Sequence, residues 1–208
     1  MNNVVYLGLD NPYSKIIGEY VESLVDNLLI KHVTSDRFSE FPESYTLGIA
    51  FMYPSLVPKE ELEKAVWINI HPAPLPEYGG RNVAYHAIKN NETEFGSTIH
   101  YMNEKFDQGE IISKSKFDIP KSATAYELYD LACSDSVQHI IKKLPSMLSV
   151  RNWNSYTQKD PTYYSQQKIN NFIELTDEQQ KLIRALYYPP YYPKIKIEDK
   201  VFNIIQND

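Results

Sequence analysis

The chain has 208 residues, a formal net charge of −6 at pH 7, a pI near 5.4 and no run of Lys and Arg longer than a pair. A phosphate-tracking nucleic-acid surface has no support in that composition, and one principal domain with a small appendage is the expected organisation. No apolar stretch reaches the roughly 20 residues that span a bilayer, and the single cysteine, Cys133, excludes an internal disulfide or a multi-cysteine metal site, so a reducing, cytoplasmic setting away from membranes is expected.

Residues 4–7 (VVYL) form an apolar run ending at Gly8, and Pro12 stands where a helix begins, with Ile16, Ile17, Tyr20, Val21 and Leu24 at helical spacing. Residues 28–33 (LLIKHV), 45–51 (YTLGIAF) and 67–71 (WINIH) read as further strands, the last two separated by a helix that Pro58 opens through KEELEKAV. Strands alternating with helices predict an α/β chain: a mostly parallel sheet with helices on its faces. Such sheets bind ligands at the carboxyl ends of their strands, and Asn69 and His71 lie at one such end. The turn after the first strand, GLDNP, lacks both GxGxxG and GK[ST], which argues against dinucleotide binding there.

After the loop PAPLPEYGGRN, residues 83–89 read as a helix, and 97–102 (STIHYM) and 110–117 (EIISKSKF) as strands flanking a turn at Asp107-Gln108-Gly109. Thr124-Ala-Tyr-Glu127 fits a capping box for a helix carrying Leu128, Leu131, Val137, Ile140, Ile141 and Leu144, and Cys133 falls in that helix as a core residue. From about Ser146 the composition turns to Asn, Tyr, Gln and Pro and closes on a hairpin of KIKIED and KVFNII. The expected division is a domain over 1–148 and an extension over 149–208.

Two motifs, NIHPAPLPEYGGRN and GSTIHYMNEKFDQGEII, set His71 and Asp107 36 residues apart. Together they resemble the catalytic core of the folate-dependent formyltransferases, a family that includes methionyl-tRNA, glycinamide ribonucleotide and nucleotide-sugar N-formyltransferases. The resemblance runs from Leu47 to about Leu144. It implies a Rossmann-like formyltransferase fold, 10-formyltetrahydrofolate as formyl donor, and Asn69, His71 and Asp107 as the catalytic set. The run FMYPSLVP resembles the family loop whose backbone grips the pterin ring, which puts Met52, Tyr53 and Ser55 beside the donor; the NEKF run, with Glu104, resembles the opposite wall.

The chemistry agrees with that set. Attack of an amine on a formamide carbon builds negative charge on oxygen and positive charge on nitrogen, and a site must stabilise both. Asn69 can donate its side-chain N–H to the oxyanion. His71, two residues along the same strand and on the same face, can donate or shuttle a proton, with Asp107 orienting it. His100 is expected to fill a hydrogen-bonded interior position, and Thr98 to line the site.

The acceptor is less determined, because a fold does not name its substrate. The tail, LIRALYYPPYYP followed by a hairpin, resembles the C-terminal portion of enzymes acting on nucleotide-linked 4-amino-4,6-dideoxy sugars of the O-antigen and lipopolysaccharide type. Tyr187, Tyr188 and Tyr191 either stack on a pyrimidine base or seal a homodimer contact. Arg81 is a candidate for a diphosphate, and Tyr78, Asn82 and His86 for the sugar. Glycinamide ribonucleotide is the competing acceptor within the family, although the glycine-rich phosphate turn of that enzyme is missing from GLDNPYSK. Outside the family's chemistry stand a non-catalytic folate- or sugar-binding module and an interaction protein built on the tyrosine-rich tail.

Overall fold

In the strand NVVYLGL alternate side chains fill opposite sides of a sheet, and every interior residue of it is buried. The computed structural model describes residues 3–33, 38–150, 153–165, 174–186 and 193–204. In chain order the elements are β1 (Asn3–Leu9), α1 (Pro12–Glu22), β2 (Asn27–Val33), β3 (Leu47–Phe51), α2 (Lys59–Lys64), β4 (Val66–His71), β5 (Gly79–Gly80), α3 (Val83–Lys89), β6 (Glu94–Phe95), β7 (Thr98–Tyr101), β8 (Ile111–Lys114), β9 (Phe117–Asp118), α4 (Ala125–Ser149), β10 (Tyr163–Tyr164), α5 (Asp177–Leu186), β11 (Lys194–Ile197) and β12 (Lys200–Asn203).

Six strands join in the order β2-β1-β3-β4-β7-β8, parallel from β2 to β4 and antiparallel beyond. This is the expected α/β, mostly parallel sheet. Val4 and Tyr6 pack with Ile17 and Val21 of α1 and with Cys133, Val137, Ile140 and Leu144 of α4. Val5 and Leu7 face the other way, onto Tyr45, Tyr53, Val57, Trp67 and, from α2, Leu62. A third cluster, with Ala73, Tyr78, Val83, Ala87, Phe95 and Leu128, seats α3. β2 is the edge strand, half exposed along most of its length.

Three details depart from the sequence reading. The strand expected over 110–117 breaks into β8 and β9 at Ser115, whose N–H still donates to the Ser97 carbonyl while its hydroxyl accepts the Ser97 N–H and bonds Asp135. The tail carries a helix, α5, where the sequence reading placed none. Finally α4 continues through Pro145, which has no N–H to give to the carbonyl of Ile141; the Tyr20 hydroxyl of α1 donates to that carbonyl at 3.0 Å instead.

The chain divides into two compact units, one of residues 1–119 with 123–166 and one of 120–122 with 167–208. The extension expected over 149–208 has members in both: residues 153–165 hydrogen-bond into the first, through a bridge between Ile111 and Tyr156 and a pairing of β10 with β5. In the second unit β11 and β12 form the anticipated hairpin, and α5 buries none of its residues. Among the described residues no helix is long and apolar enough to cross a membrane.

Candidate active site

β4 carries two of the three expected catalytic residues toward its end. Asn69 and His71 share a face by strand alternation, and the antiparallel register sets His100 of β7 directly opposite Asn69. Asp107 comes from the turn after β7 with a left-handed φ of 55°, a conformation that non-glycine residues keep mainly where surrounding structure enforces it. Gly109 allows the turn to close: a Cβ there would lie 1.7 Å from the carbonyl oxygen of Tyr101.

One carboxylate oxygen gathers three nitrogens. Asp107 Oδ1 lies 3.3 Å from Asn69 Nδ2, 3.6 Å from His71 Nδ1 and 3.7 Å from His100 Nε2. Oδ2 accepts the backbone N–H of Gly80 at 2.8 Å. Burial would raise this carboxyl, yet the positive charge that His71 and His100 can carry and the Gly80 N–H outweigh it and hold Asp107 well below the usual carboxylate range.

Hydrogen bonds fix the proton positions on both rings. His100 Nδ1–H donates to the carbonyl of Tyr101 at 2.8 Å, leaving Nε2 to accept from Asn69 Nδ2 at 3.1 Å. His71 Nε2–H donates to the carbonyl of Tyr78 at 2.7 Å. The nitrogen of His71 free to exchange a proton is therefore Nδ1, the one facing Asp107. Both rings are buried, His71 at 6% and His100 at 2% exposed, so they act in a screened, low-dielectric setting.

Several other expected residues are spent on structure. Thr98 is fully buried, accepting from the N–H of Leu75 and donating to the carbonyl of Ala73; it props the loop and does not line an open wall. The ring of Tyr78 lies in the core with its hydroxyl donating to Glu92, and its contribution to the site is its carbonyl. Tyr53 faces the α2 side, where its hydroxyl accepts the N–H of Phe38. Met52 has φ 56° and its sulfur receives Asn11 and Tyr129 from the opposite side. Ser55 is half-buried, and Glu104 is exposed and paired with Lys59 at 3.1 Å.

Arg81 and Asn82 are exposed beside the site, Asn82 in a left-handed conformation. His86 stacks on Tyr164 with centroids 3.9 Å apart. Tyr187, Tyr188 and Tyr191 lie outside the described residues. Sequence reasoning missed Gly80, Gln158 and Tyr163, and assigned His100 an interior hydrogen bond without seeing that its partner is Asn69. Tyr163 stands close enough for burial and then the Asp107 charge to raise its phenol, with Arg81 opposing. Among the described residues no group of His, Cys, Asp and Glu is arranged to hold a metal ion. A separate apolar groove lined by Val4, Leu47, Val66, Met147 and Trp153 lies at the starting ends of the strands and contains none of these residues.

Residues 43–144 match the family profile described as formyl transferase. The chain is similar to the GDP-perosamine N-formyltransferase of Brucella melitensis, 28% identical over 188 residues that cover 82% of this chain and 69% of that protein. It is also similar to the methionyl-tRNA formyltransferase of Nitratiruptor, 30% identical over 128 residues, 60% of this chain and 41% of that one. Among solved structures, the N-formyltransferase from Helicobacter canadensis in complex with folinic acid and dTDP-3-aminofucose superposes with a TM-score of 0.71 at 19% identity, over 98% of this chain and 95% of that one.

Proposed function

The chain belongs to the formyltransferase family, and on that premise we propose that it moves a formyl group from 10-formyltetrahydrofolate to the amine of a nucleotide-linked 4-amino-4,6-dideoxy sugar, a step in O-antigen and lipopolysaccharide sugar synthesis. The observation that carries the reading is the convergence of Asn69, His71 and His100 on one oxygen of Asp107.

In this scheme the amine nitrogen attacks the formyl carbon, the C=O electron pair moves onto oxygen, and a tetrahedral intermediate forms. Asn69 Nδ2 is the donor for that oxyanion. Both of its hydrogens lie within the cluster, the one toward Asp107 at 3.3 Å being the longer contact, and that hydrogen turns to the oxyanion as charge develops. His71 Nδ1 takes the proton leaving the attacking nitrogen, and the ionised Asp107 stabilises the resulting imidazolium. Collapse restores the C=O bond, breaks the bond to the folate nitrogen and returns the proton to it. Atoms balance: the sugar gains CO and the folate nitrogen ends as N–H.

Similarity over 82% of the chain to a protein acting on a GDP-linked sugar supports a sugar acceptor over tRNA, as does the acidic net charge. The solved relative is bound to a dTDP-linked sugar, and a thymidine diphosphate carrier is our proposal. The groups that react are placed in residues 1–148, with 149–208 serving acceptor recognition and a homodimer contact in the cytoplasm. The test offers 10-formyltetrahydrofolate with a dTDP-linked 4-amino sugar, GDP-perosamine or glycinamide ribonucleotide and follows each acceptor by mass spectrometry. Gain of one CO by a nucleotide sugar is expected. Gain by glycinamide ribonucleotide alone would reject the sugar assignment, and gain by none would reject the enzyme.

A further inference from the structure

After α4 the chain turns back across both loops of the site. Tyr156 and Ile111 exchange backbone hydrogen bonds at 2.9 and 3.0 Å, and the Glu110 carboxylate accepts from the hydroxyls of Ser155 at 2.6 Å and Thr157 at 3.2 Å. Gln158 Nε2 donates to the carbonyls of Asp107 at 2.9 Å and Gly109 at 2.7 Å. The segment then reaches the other loop: Thr162 N–H donates to Pro76, Gly79 N–H to Thr162, and Arg81 N–H to Tyr164. One stretch, 155–164, thus grips the turn that presents Asp107 and the loop that presents Gly80 N–H and the carbonyl of Tyr78. It fixes the spacing between them.

We propose that Gln158 is a positioning residue for the transfer reaction, its carboxamide holding the Asp107 turn so that the carboxylate stays against His71 and the Gly80 N–H. Two carbonyls of one turn point at a single atom, and a primary amide nitrogen supplies both hydrogens they need. The reverse orientation is closed to it, since Oε1 would then face two carbonyl oxygens; Oε1 instead lies buried with no hydrogen-bond partner. Asp107 is held in a left-handed conformation, so without an outside restraint the turn has reason to relax. Asn is one methylene too short for the same contacts, and Glu sets a carboxylate against the carbonyls.

This inference rests on the catalytic set above and is independent of the acceptor. The test compares the wild type with Gln158→Met, similar in volume but without donors, with Gln158→Glu, and with a control, Tyr20→Phe, that cuts a hydrogen bond between α1 and α4 and touches neither site loop. The carboxyl carbon of Asp107 is titrated by NMR, and kcat and KM are measured with 10-formyltetrahydrofolate and the acceptor. In both Gln158 variants the Asp107 midpoint is expected to rise by about one pH unit or more and kcat to fall by about 10- to 100-fold, with each KM within about threefold of wild type. In the control, thermal stability falls while the midpoint and kcat stay near wild type. An unchanged Asp107 midpoint, a loss confined to KM, or an equal loss of kcat in the control would overturn the assignment. If the wild type formylates no acceptor, the enzyme reading fails, and the titration still decides the part played by Gln158.

Discussion

Asp107 and Asn69 are bound to each other, so replacing either tests a different half of the reaction. Asp107→Asn keeps the side chain's shape and removes the charge that stabilises a proton on His71 Nδ1; kcat is expected to fall by about 100- to 10,000-fold, a range typical of lost acid–base function. Asn69→Ala removes the oxyanion donor, with an expected fall of about 100- to 1000-fold. Steady-state kinetics with KM near wild type in both variants is the supporting result; a loss within threefold in either takes that residue out of the scheme. That these two residues and His71 meet was legible in the sequence because their spacing is carried by one strand and one turn. His100 was half legible: its burial follows from the strand pattern, but its partner follows from a register that places β7 antiparallel to β4. Gly80 acts through its backbone and Gln158 through a return of the chain about 50 residues after Asp107, so neither residue type announces its part. The hydrogen bonds that hold the side chains of Tyr78 and Thr98 were not legible either, since a residue type does not name its partner.

At the level of elements, α4 is the one whose length the sequence understates. Its start is written in Thr124 and Glu127, whose reciprocal hydrogen bonds close the capping box, while Pro145 signals an end four residues before the helix stops. The difference is a side chain from another helix: Tyr20 satisfies the carbonyl that proline abandons. Tyr20→Phe is therefore expected to cost about 1 kcal/mol, the net worth of a typical hydrogen bond. Combining it with Pro145→Ala should reduce that cost, because the substituted alanine supplies its own N–H to the carbonyl of Ile141, giving a coupling of about 0.5 kcal/mol or more. Urea denaturation of the four proteins checks the cycle, and strict additivity would mean that Tyr20 does not replace the missing bond. The strands of the main sheet and α1 to α4 were readable from periodicity, whereas α5, which buries none of its residues, was not. The two-residue pairings β5 with β10 and β6 with β9 were not, for they are set by where loops happen to meet.

At the scale of the whole molecule, a polar seam between α4 and the sheet, distinct from the site, is expected to make stability sensitive to acid. His139 of α4 lies 6% exposed, with Ser97 Oγ at 3.0 Å from Nδ1 and Ser113 Oγ at 2.8 Å from Nε2. Asp135 accepts from Ser97 at 2.7 Å and also from Ser115. Burial lowers His139 to about 4 from an ordinary 6.5, with Asp135 opposing and Lys143 and Lys142 adding to the fall. The folded protein thus keeps this ring neutral at a pH where the unfolded chain protonates it. The associated stability is complete above pH 6.5 and is lost as the pH drops toward 4, by on the order of 3 kcal/mol in all. Asp107, also depressed in the folded state, contributes stability that is lost only below its ordinary value of 3.8, so the two windows separate. Urea denaturation at pH 7.5, 5.5, 4.5 and 3.5 should give a falling stability in the wild type and a flatter profile in His139→Gln, which cannot take up the proton. An unchanged slope in that variant would assign the acid sensitivity to another group. A slope that appears only below pH 4 would assign it to the carboxylates.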